Sequence, residues 1–228
     1  MIIEARDIRK SFGSLEVLKG VDIAIDRGEI VSIVGTSGAG KTTLLQILGT
    51  LDRADSGELR IDGTDIMGMN NRKQAEFRNR RLGFIFQFHR LLPEFTALEN
   101  VMIPALIAGK SRKEASCEAE RLLSDLNLSD RASHKPSELS GGEKQRIAVA
   151  RALVNHPAII LADEPTGNLD PETADGIMVL LNQINRTGTT IVMSTHNARA
   201  VNDMRRRVIE LKLGNLVRDD AHGVYGEA

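Results

Sequence analysis

The feature that most constrains the fold is a glycine-rich segment that lies between an apolar strand and a helix. The segment reads Gly35-Thr36-Ser37-Gly38-Ala39-Gly40-Lys41-Thr42 and matches the pattern G-x-x-x-x-G-K-[ST] at every fixed position. The β-branched run 30–34 precedes it, and residues 43–48 have helical spacing. Backbone N–H groups of such a loop, together with the positive end of the helix, bind phosphate groups. The segment therefore predicts an α/β fold with a phosphate site at the end of a buried strand.

The chemistry of a nucleoside triphosphate gives the side chains of this loop their roles. Lys41 supplies a point charge near the β- and γ-phosphates, and the hydroxyl of Thr42 is expected to hold Mg²⁺. The residues expected to contact the nucleotide are Gly35, Ser37, Gly38, Ala39, Gly40, Lys41, Thr42 and Thr43. The simpler alternative is a glycine-rich turn that only joins a strand to a helix. The full motif between a strand and a helix argues against that alternative.

A second part of the site is predicted where another apolar strand ends in two acids. Residues 158–162 are apolar, and Asp163 and Glu164 follow them. Such a strand would place Asp163 beside the Mg²⁺ and Glu164 one step further along, where it can orient or deprotonate the attacking water. Two acids at a strand end can also be a solvated turn. The Mg²⁺ of a phosphate loop needs a carboxylate ligand, which favours the first interpretation.

Short β-branched runs predict the strands of the fold. They occupy residues 2–8, 21–25, 30–34, 58–61, 82–86, 159–162, 190–194 and 208–213. The runs 30–34, 159–162 and 190–194 are apolar enough to be buried on both faces, which is typical of a parallel sheet. Residues 96–155 lack strand signals and have apolar residues at helical spacing. We predict an α/β fold with a mostly parallel sheet, an antiparallel β portion at the N-terminal end and an inserted helical subdomain.

Composition excludes several functional classes. The chain has 228 residues with 30 Lys and Arg against 31 Asp and Glu, which gives a net charge of −1. It therefore lacks the excess positive charge that is typical of nucleic-acid-binding proteins. The single cysteine, Cys117, cannot form an internal disulfide, which fits a reducing cytoplasm. We also expect no signal peptide and no spanning helix, because the sequence has no apolar run of 18 residues. Any membrane role must then come through a partner.

The segment Leu139-Ser140-Gly141-Gly142-Glu143 narrows the class, because it precedes a helix-like run and would form a second anion-binding helix start. Here the chain resembles the ABC ATPase family, whose signature is L-S-G-G-[EQ]. The resemblance implies that Ser140, Gly141, Gly142 and Glu143 bind ATP. An ordinary helix cap, with Glu143 three residues after Ser140, is the alternative, and the same free N–H groups serve both purposes.

Further motifs appear in the order that the ABC family has. By resemblance, Phe12 stacks on adenine, although the family more often has Tyr there and a core Phe is the alternative. Gln87 matches the glutamine that touches Mg²⁺ and water. Asp170 matches the aspartate of the D-loop, and the resemblance implies that it binds ATP. His196 matches the histidine that contacts the γ-phosphate. The resemblance thus implies Glu164, His196 and Gln87 as catalytic residues, and Thr42, Gln87 and Asp163 as Mg²⁺ ligands.

The resemblance also implies partners and a domain division. One copy's signature faces another copy's phosphate loop, so two copies enclose two ATP molecules. The family works beneath integral membrane permease subunits, which implies a cytoplasmic chain held on the inner face of the cell membrane. Residues 1–228 would form a single ABC ATPase domain. Its core subdomain, RecA-like with an antiparallel β portion, would hold residues 1–88 and 156–228, and the helical subdomain would hold residues 89–155.

Within the family, residues 86–101 look like those of the lipoprotein-releasing and macrolide-efflux group. Residues 1 to about 163 are most similar to the lipoprotein-releasing ATPase, whereas residues from about 170 look like the cell-division ATPase of the same group. A chimera is one hypothesis and ordinary divergence is the other. Membrane partners of the lipoprotein-releasing permease type or of the cell-division type are both open, and so is a soluble ABC ATPase without a membrane partner.

The apolar segment after Gln87 predicts a contact with the membrane partner. It contains Phe88, His89, Leu91, Leu92 and Phe95, with Arg90, Glu94 and Glu99 available as a charged rim. In the resembling family, this region forms the groove that receives a short cytoplasmic helix of the membrane subunit. Burial of these side chains in the core is the alternative.

Overall fold

A computed structural model describes residues 1–226 and contains two β-sheets and seven α-helices. The strands are β1 (Ile3–Phe12), β2 (Leu15–Ile25), β3 (Ile30–Val34), β4 (Ser56–Ile61), β5 (Thr64–Asp65), β6 (Leu82–Phe86), β7 (Ile159–Asp163), β8 (Thr190–Ser194), β9 (Arg207–Lys212) and β10 (Asn215–Asp220). The helices are α1 (Lys41–Leu48), α2 (Asn71–Arg81), α3 (Ala97–Ile107), α4 (Arg112–Asp125), α5 (Gly141–Leu153), α6 (Pro171–Arg186) and α7 (Ala198–Met204). None of the helices within residues 1–226 is long and apolar enough to cross a bilayer.

The central sheet has the order β10-β9-β3-β8-β7-β6. Strands β9, β3, β8, β7 and β6 are mutually parallel, and only β10 pairs antiparallel with its neighbour. All five residues of β3 and of β8 are buried, because helices cover both faces of the sheet. The parallel core expected from the sequence is therefore confirmed.

The second sheet is antiparallel and has the order β2-β1-β4-β5. It contains the long hairpin of β1 and β2, and its buried side chains share one apolar cluster with α1 and the central sheet. The predicted antiparallel portion at the N-terminal end is thus present. The strands are longer than the sequence signal, since β1 runs to Phe12 and β2 begins at Leu15, and their solvent-facing polar residues hide the strand signal.

A separate apolar cluster joins the helices between residues 97 and 154. Its buried side chains come from α3, α4, the following loop and α5, and they include Val101, Leu123 and Ile147. Two capping boxes define where α3 and α4 begin, one from Thr96 and Glu99 and the other from Ser111 and Glu114. These helices are positioned next to the parallel sheet by contacts of α5 with β6 and α6.

Several elements were not predicted from the sequence, among them α2, β5 and β10. Helix α2 is polar on all sides and buries only Gln74, so it has no apolar stripe to reveal it, and the cap at Asn70 is its clearest signal. Strand β5 has two residues, and β10 is mostly exposed at the edge of the sheet. Edge strands carry weak patterns because only one face meets the core.

Candidate active site

The predicted catalytic residues lie where four adjacent parallel strands end. The neighbours in the sheet are β3, β8, β7 and β6, and the segments that follow them begin with Gly35, Thr195, Glu164 and Gln87. The register places Asp163 opposite both Phe86 and Ser194. Because parallel strands end at the same edge, residues far apart in sequence meet there, as in ligand sites of open α/β sheets. We refer to this region as the hydrolytic edge.

The phosphate loop has the backbone that its glycines require. Gly35 and Gly40 have φ of 139° and 101°, a region that side chains strain. A Cβ at Gly35 would lie 2.2 Å from the carbonyl oxygen of Leu211. The Lys41 ammonium donates to the carbonyl oxygens of Gly35, at 2.8 Å, and Thr36, at 3.1 Å. The cation is thus turned into the loop, where phosphate oxygens can replace those carbonyls. Ser37 and Gly38 are exposed, Ala39 and Gly40 are buried, and Lys41, Thr42 and Thr43 open α1.

Two hydroxyl groups contact the carboxylate of Asp163. Thr42 Oγ1 lies 3.2 Å from Asp163 Oδ1, and Ser194 Oγ donates to the same oxygen at 2.5 Å. The structure therefore brings two of the expected Mg²⁺ ligands together. A hydroxyl and a carboxylate oxygen are hard donors of the kind that Mg²⁺ takes beside substrate phosphates, so the residues fit this ion.

Glu164 and His196 are in direct contact. Glu164 Oε1 lies 2.8 Å from His196 Nδ1, and Glu164 Oε2 accepts the backbone N–H of His196 at 3.3 Å. The side chain of Glu164 is only 14% exposed, whereas that of His196 is 62% exposed. Glu164 also has φ of 48°, held by a hydrogen bond from its N–H to the carbonyl of Ser194. A non-glycine residue in this region is uncommon and points to a functional constraint.

Gln87 follows β6 and lies against the segment after Glu164. The amide of Asn168 donates to the backbone carbonyl of Gln87 at 3.4 Å. A Cβ added to Gly167 would come within 2.9 Å of Gln87 Nε2, so the side chain of Gln87 packs on this glycine. Gln87 is thereby placed beside the loop that also contains Asp170. Its side chain makes no hydrogen bond among residues 1–226 to the hydroxyl of Thr42 or the carboxylate of Asp163.

Phe12 ends β1 and is 53% exposed, so its ring does not belong to the core. The ammonium of Lys10 lies 5.2 Å from the ring centroid, within cation–π distance. An exposed aromatic face beside a hairpin is suited to stacking on a planar base. The core alternative for Phe12 was wrong.

The signature segment forms a complete capping box at the start of α5. Ser140 Oγ accepts the N–H of Glu143 at 3.2 Å, and the Glu143 carboxylate accepts the N–H of Ser140 at 2.8 Å. A Cβ on Gly142 would lie 2.6 Å from Thr173 Cγ2, which explains that glycine by close packing on α6. We call Ser140–Glu143 the signature end of α5. Among the described residues, no hydrogen bond or ion pair joins it to Gly35–Thr43.

Asp170 is the N-cap of α6, and its carboxylate accepts the N–H of Thr173 at 3.0 Å. Hydrogen bonds from the side chain and backbone of Thr173 lower the pKa of Asp170. The structure therefore gives Asp170 a capping role, and its predicted contact with ATP remains a prediction.

Three residues of the site were not predicted from the sequence. Ser194 contacts Asp163, Arg131 contacts Glu143 at 2.8 Å, and Gln145 donates to the carbonyl of Pro165 at 2.6 Å. Gln145 is buried and ties α5 to the residue after Glu164. No local pattern marks these three, because each acts through a partner that is distant in sequence. The four-strand register could have pointed to Ser194, since it ends the strand next to β7.

Comparisons with known proteins agree with this fold. The model of the ABC transporter family matches residues 18–167. A dimeric structure of a post-hydrolysis state of the ATP-binding cassette MJ0796 bound to ADP and Pi superposes with a TM-score of 0.89 and 38% identity, covering 98% of this chain and 100% of that one. The chain belongs to the ABC transporter family and is an ATP-hydrolysing transporter subunit.

Two relatives with higher sequence identity than MJ0796 share one name. The lipoprotein-releasing system ATP-binding protein LolD of Porphyromonas gingivalis is 86% identical over 200 residues, which cover 87% of this chain and 91% of the relative. The protein of the same name from Bacteroides thetaiotaomicron is 56% identical over 219 residues, covering 96% of this chain and all of the relative. An alignment of 200 residues is longer than either 1–163 or 170–228, so it crosses the suspected junction. The comparisons give no support to a chimera or to a cell-division or macrolide-efflux segment.

Proposed function

We propose that the chain is the ATPase of a lipoprotein-releasing transporter. Two copies close around two Mg²⁺-ATP molecules and move membrane-embedded permease subunits from the cytoplasmic face of the membrane. We propose the division into a core subdomain, residues 1–88 and 156–228, and a helical subdomain, residues 89–155. The observation that carries the proposal is the contact between Glu164 and His196 at the hydrolytic edge, next to the phosphate loop.

The hydrolytic edge supplies the groups for phosphoryl transfer to water. Lys41 binds the β- and γ-phosphates, and Thr42, Asp163 and Gln87 would hold Mg²⁺, which neutralises charge on the phosphate oxygens when bound. Glu164 orients the attacking water and accepts its proton, because its carboxylate is the acceptor placed beyond Asp163. His196 positions Glu164 by contacting both of its oxygens and lies exposed enough to reach the γ-phosphate.

The signature end of α5 makes the second copy necessary. Its N–H groups at Gly141 and Gly142 suit an anion, yet no bond connects this end to the phosphate loop within the described part of the same chain. A signature from another copy would complete each site. The dimer of the ATP-binding cassette MJ0796 is consistent with such an arrangement.

A groove between the two subdomains suits a segment of the membrane partner. Its volume is about 410 Å³, and its apolar lining includes Leu51, Phe84, Phe86 and Ile107. Arg90 reaches over the Phe86 ring, with its guanidinium carbon 4.4 Å from the ring centroid. The groove thus combines an apolar floor with a cation at its edge, which suits an amphipathic helix.

The segment after Gln87, whose Arg90 lines this groove, also carries exposed apolar side chains. Phe88 is 70% exposed, Leu92 43% and Phe95 40%. Their exposure is inconsistent with the core alternative for these three residues, although Leu91 packs against the cluster of α3–α5. Glu99 does not serve as the expected free rim charge, because it is engaged in the capping box with Thr96.

The partner contact is tested with Leu92→Asp combined with Phe95→Ser. The double variant should keep its nucleotide affinity and its unfolding temperature but lose co-purification with lipoprotein-releasing permease subunits, because a charge replaces apolar contact area. Val179→Asp with Val217→Ser is the matched control, since both valines are more than half exposed and lie elsewhere. Full retention of the permease by a folded double variant would refute the docking site.

Co-purification with membrane subunits, together with an ATPase assay in the presence of nucleic acid, separates the remaining functional classes. Capture of permease subunits of the lipoprotein-releasing type by the wild-type chain supports the proposal. Capture of the cell-division type instead, or ATPase activity stimulated by nucleic acid without any membrane subunit, would overturn it.

A further inference from the structure

The signature end of α5 has a charge that opposes its proposed task. The carboxylate of Glu143 is hydrogen-bonded across the capping box, in the first turn of the helix. A carboxylate stabilises a helix start, but it repels another anion at the same place. The pKa of Glu143 is lowered from 4.5 to about 2 by the N–H of Ser140 and by Arg131. Glu143 is therefore ionised at every pH at which the protein would work.

Arg131 is the cation that meets this charge. Its Nε donates to Glu143 Oε1 at 2.8 Å, while the other carboxylate oxygen stays on the N–H of Ser140. No other ion pair involves Glu143 among the residues that the structure describes, although Lys144 and Arg146 are on the same helix. The side chains of Arg131 and Glu143 are 44% and 21% exposed, so the pair is partly screened by solvent.

The backbone around Arg131 fixes where its guanidinium stands. Arg131 lies in a short 3₁₀ helix, Ser129–Arg131, and its N–H donates to the carbonyl of Leu128. The carbonyl of Arg131 accepts the N–H of His134 at 3.0 Å, and the carbonyl of His134 accepts the N–H of Ala97 at the start of α3. The loop is thus held to α3 from one side and reaches Glu143 on the other.

We propose that Arg131 is a positioning residue for the ATP bound by a second copy: it neutralises Glu143, so that the N–H groups of the signature end of α5 remain attractive to phosphate. This inference rests on the proposed ATP-sandwich dimer. Arg131 acts through Glu143 and not by contact with ATP. Its loss leaves an uncompensated negative charge next to the phosphate of the partner's nucleotide.

The test measures ATP-dependent dimerisation in a Glu164→Gln background by sedimentation, at graded ATP concentrations. Arg131→Gln should raise the ATP concentration needed for half dimerisation roughly fivefold, a typical effect of one partly screened charge at a helix end. Arg131→Lys should restore much of the wild-type behaviour. Arg121→Gln is the matched control, because Arg121, like Arg131, is a half-exposed arginine of the same group of helices. It forms ion pairs with Glu118 and Asp125 and none with Glu143.

Four further readouts separate charge compensation from a purely structural contact. Adding Glu143→Gln to Arg131→Gln should restore dimerisation, because no charge remains to be compensated. Glutamine, which the signature L-S-G-G-[EQ] also takes at this position, can keep both the capping box and a polar contact with ATP. The defect of Arg131→Gln should shrink at 0.5 M salt, and ATP affinity of the monomer at its own phosphate loop should not change. When Arg131→Gln is made in the chain that retains Glu164, the half-saturating ATP concentration for turnover should rise. The value of kcat should stay near that of the wild type.

The outcomes decide between the proposals. Unchanged dimerisation of Arg131→Gln would overturn the role of Arg131. A dimerisation defect that Glu143→Gln does not restore, and that accompanies a lower unfolding temperature, would overturn it as well. If Arg131→Gln does not fold, Glu143→Gln is compared with the double variant, and any large difference between these two contradicts action through Glu143. Absence of an ATP-dependent dimer in the Glu164→Gln parent itself would instead refute the sandwich model and this inference with it.

Discussion

The hydrolytic edge and the signature end of α5 are the two proposed phosphate sites of the chain, and they are built in different ways. At the hydrolytic edge, polar side chains come from four strands and already contact one another, as in the pairs Thr42–Asp163 and Glu164–His196. At the signature end, one local capping box satisfies its own side chains and leaves backbone N–H groups for a ligand. The first arrangement is specified by sheet register and the second by four consecutive residues. We therefore propose that the hydrolytic edge carries the chemistry and that the signature end of α5 carries ATP-dependent assembly.

The largest expected effect comes from removing Lys41, the cation of the phosphate loop at the hydrolytic edge. Lys41→Ala removes the only side chain of the phosphate loop that is positively charged, so ATP affinity or turnover should fall on the order of 100-fold or more. Nucleotide titration and ATPase assays measure this. Lys113→Ala, an exposed lysine on α4, is the control. Wild-type turnover by Lys41→Ala would remove the assignment of this loop.

Glu164→Gln should separate binding from chemistry at the same edge. The amide keeps the shape of the side chain but cannot accept a proton, so turnover should fall roughly 100- to 1,000-fold while Mg²⁺-ATP binding remains. Gel filtration with ATP should then show a long-lived dimer, because hydrolysis no longer opens it. A variant that stays monomeric with saturating ATP would count against the sandwich model.

Gly142→Ala should break the signature end without touching the edge. Its Cβ would lie 2.6 Å from Thr173 Cγ2, and overpacking of this kind shifts the backbone that presents the N–H groups. ATP-dependent dimerisation should weaken roughly tenfold, by the usual cost of overpacking. Gly176→Ala is the matched control, because this glycine lies on α6, outside the signature, and its Cβ would meet no atom within 4 Å.

Thr173→Ser provides a rescue for Gly142→Ala. Serine lacks the methyl group that would clash, and it keeps the hydroxyl that interacts with Asp170. The double variant should therefore recover most of the dimerisation. If it does not, the defect of Gly142→Ala lies in the ligand contact itself and not in packing on α6.

In both regions the sequence predicts contiguous segments better than contacts between distant residues. The phosphate loop, the two acids at the end of β7 and the capping box are each contiguous, and strands β3, β6 and β8 have the bounds that their apolar runs predict. The contacts of Ser194, Arg131 and Gln145 depend on register and helix packing, which local patterns do not encode. Helix α2 was missed because it lacks an apolar face, and β10 because it lies at an edge.

The smallest expected effect is the pH dependence of stability that Glu143 contributes at the signature end of α5. The folded-state pKa of Glu143 is depressed from 4.5 to about 2, so the ionised carboxylate contributes stability above pH 4.5 that is lost as the pH falls towards 2. After allowance for solvent screening, this contribution is about 1 kcal/mol. Glu143→Gln should therefore lower the free energy of unfolding at pH 7 but reduce its fall between pH 5 and pH 3. Denaturant unfolding at these pH values measures the difference.

Arg131→Gln should flatten the pH profile of the free energy of unfolding less than Glu143→Gln does. The hydrogen bond from the N–H of Ser140 persists in this variant and is the larger cause of the low pKa of Glu143. Equal pH profiles for wild type and Glu143→Gln would show that the carboxylate is not held as the capping box requires.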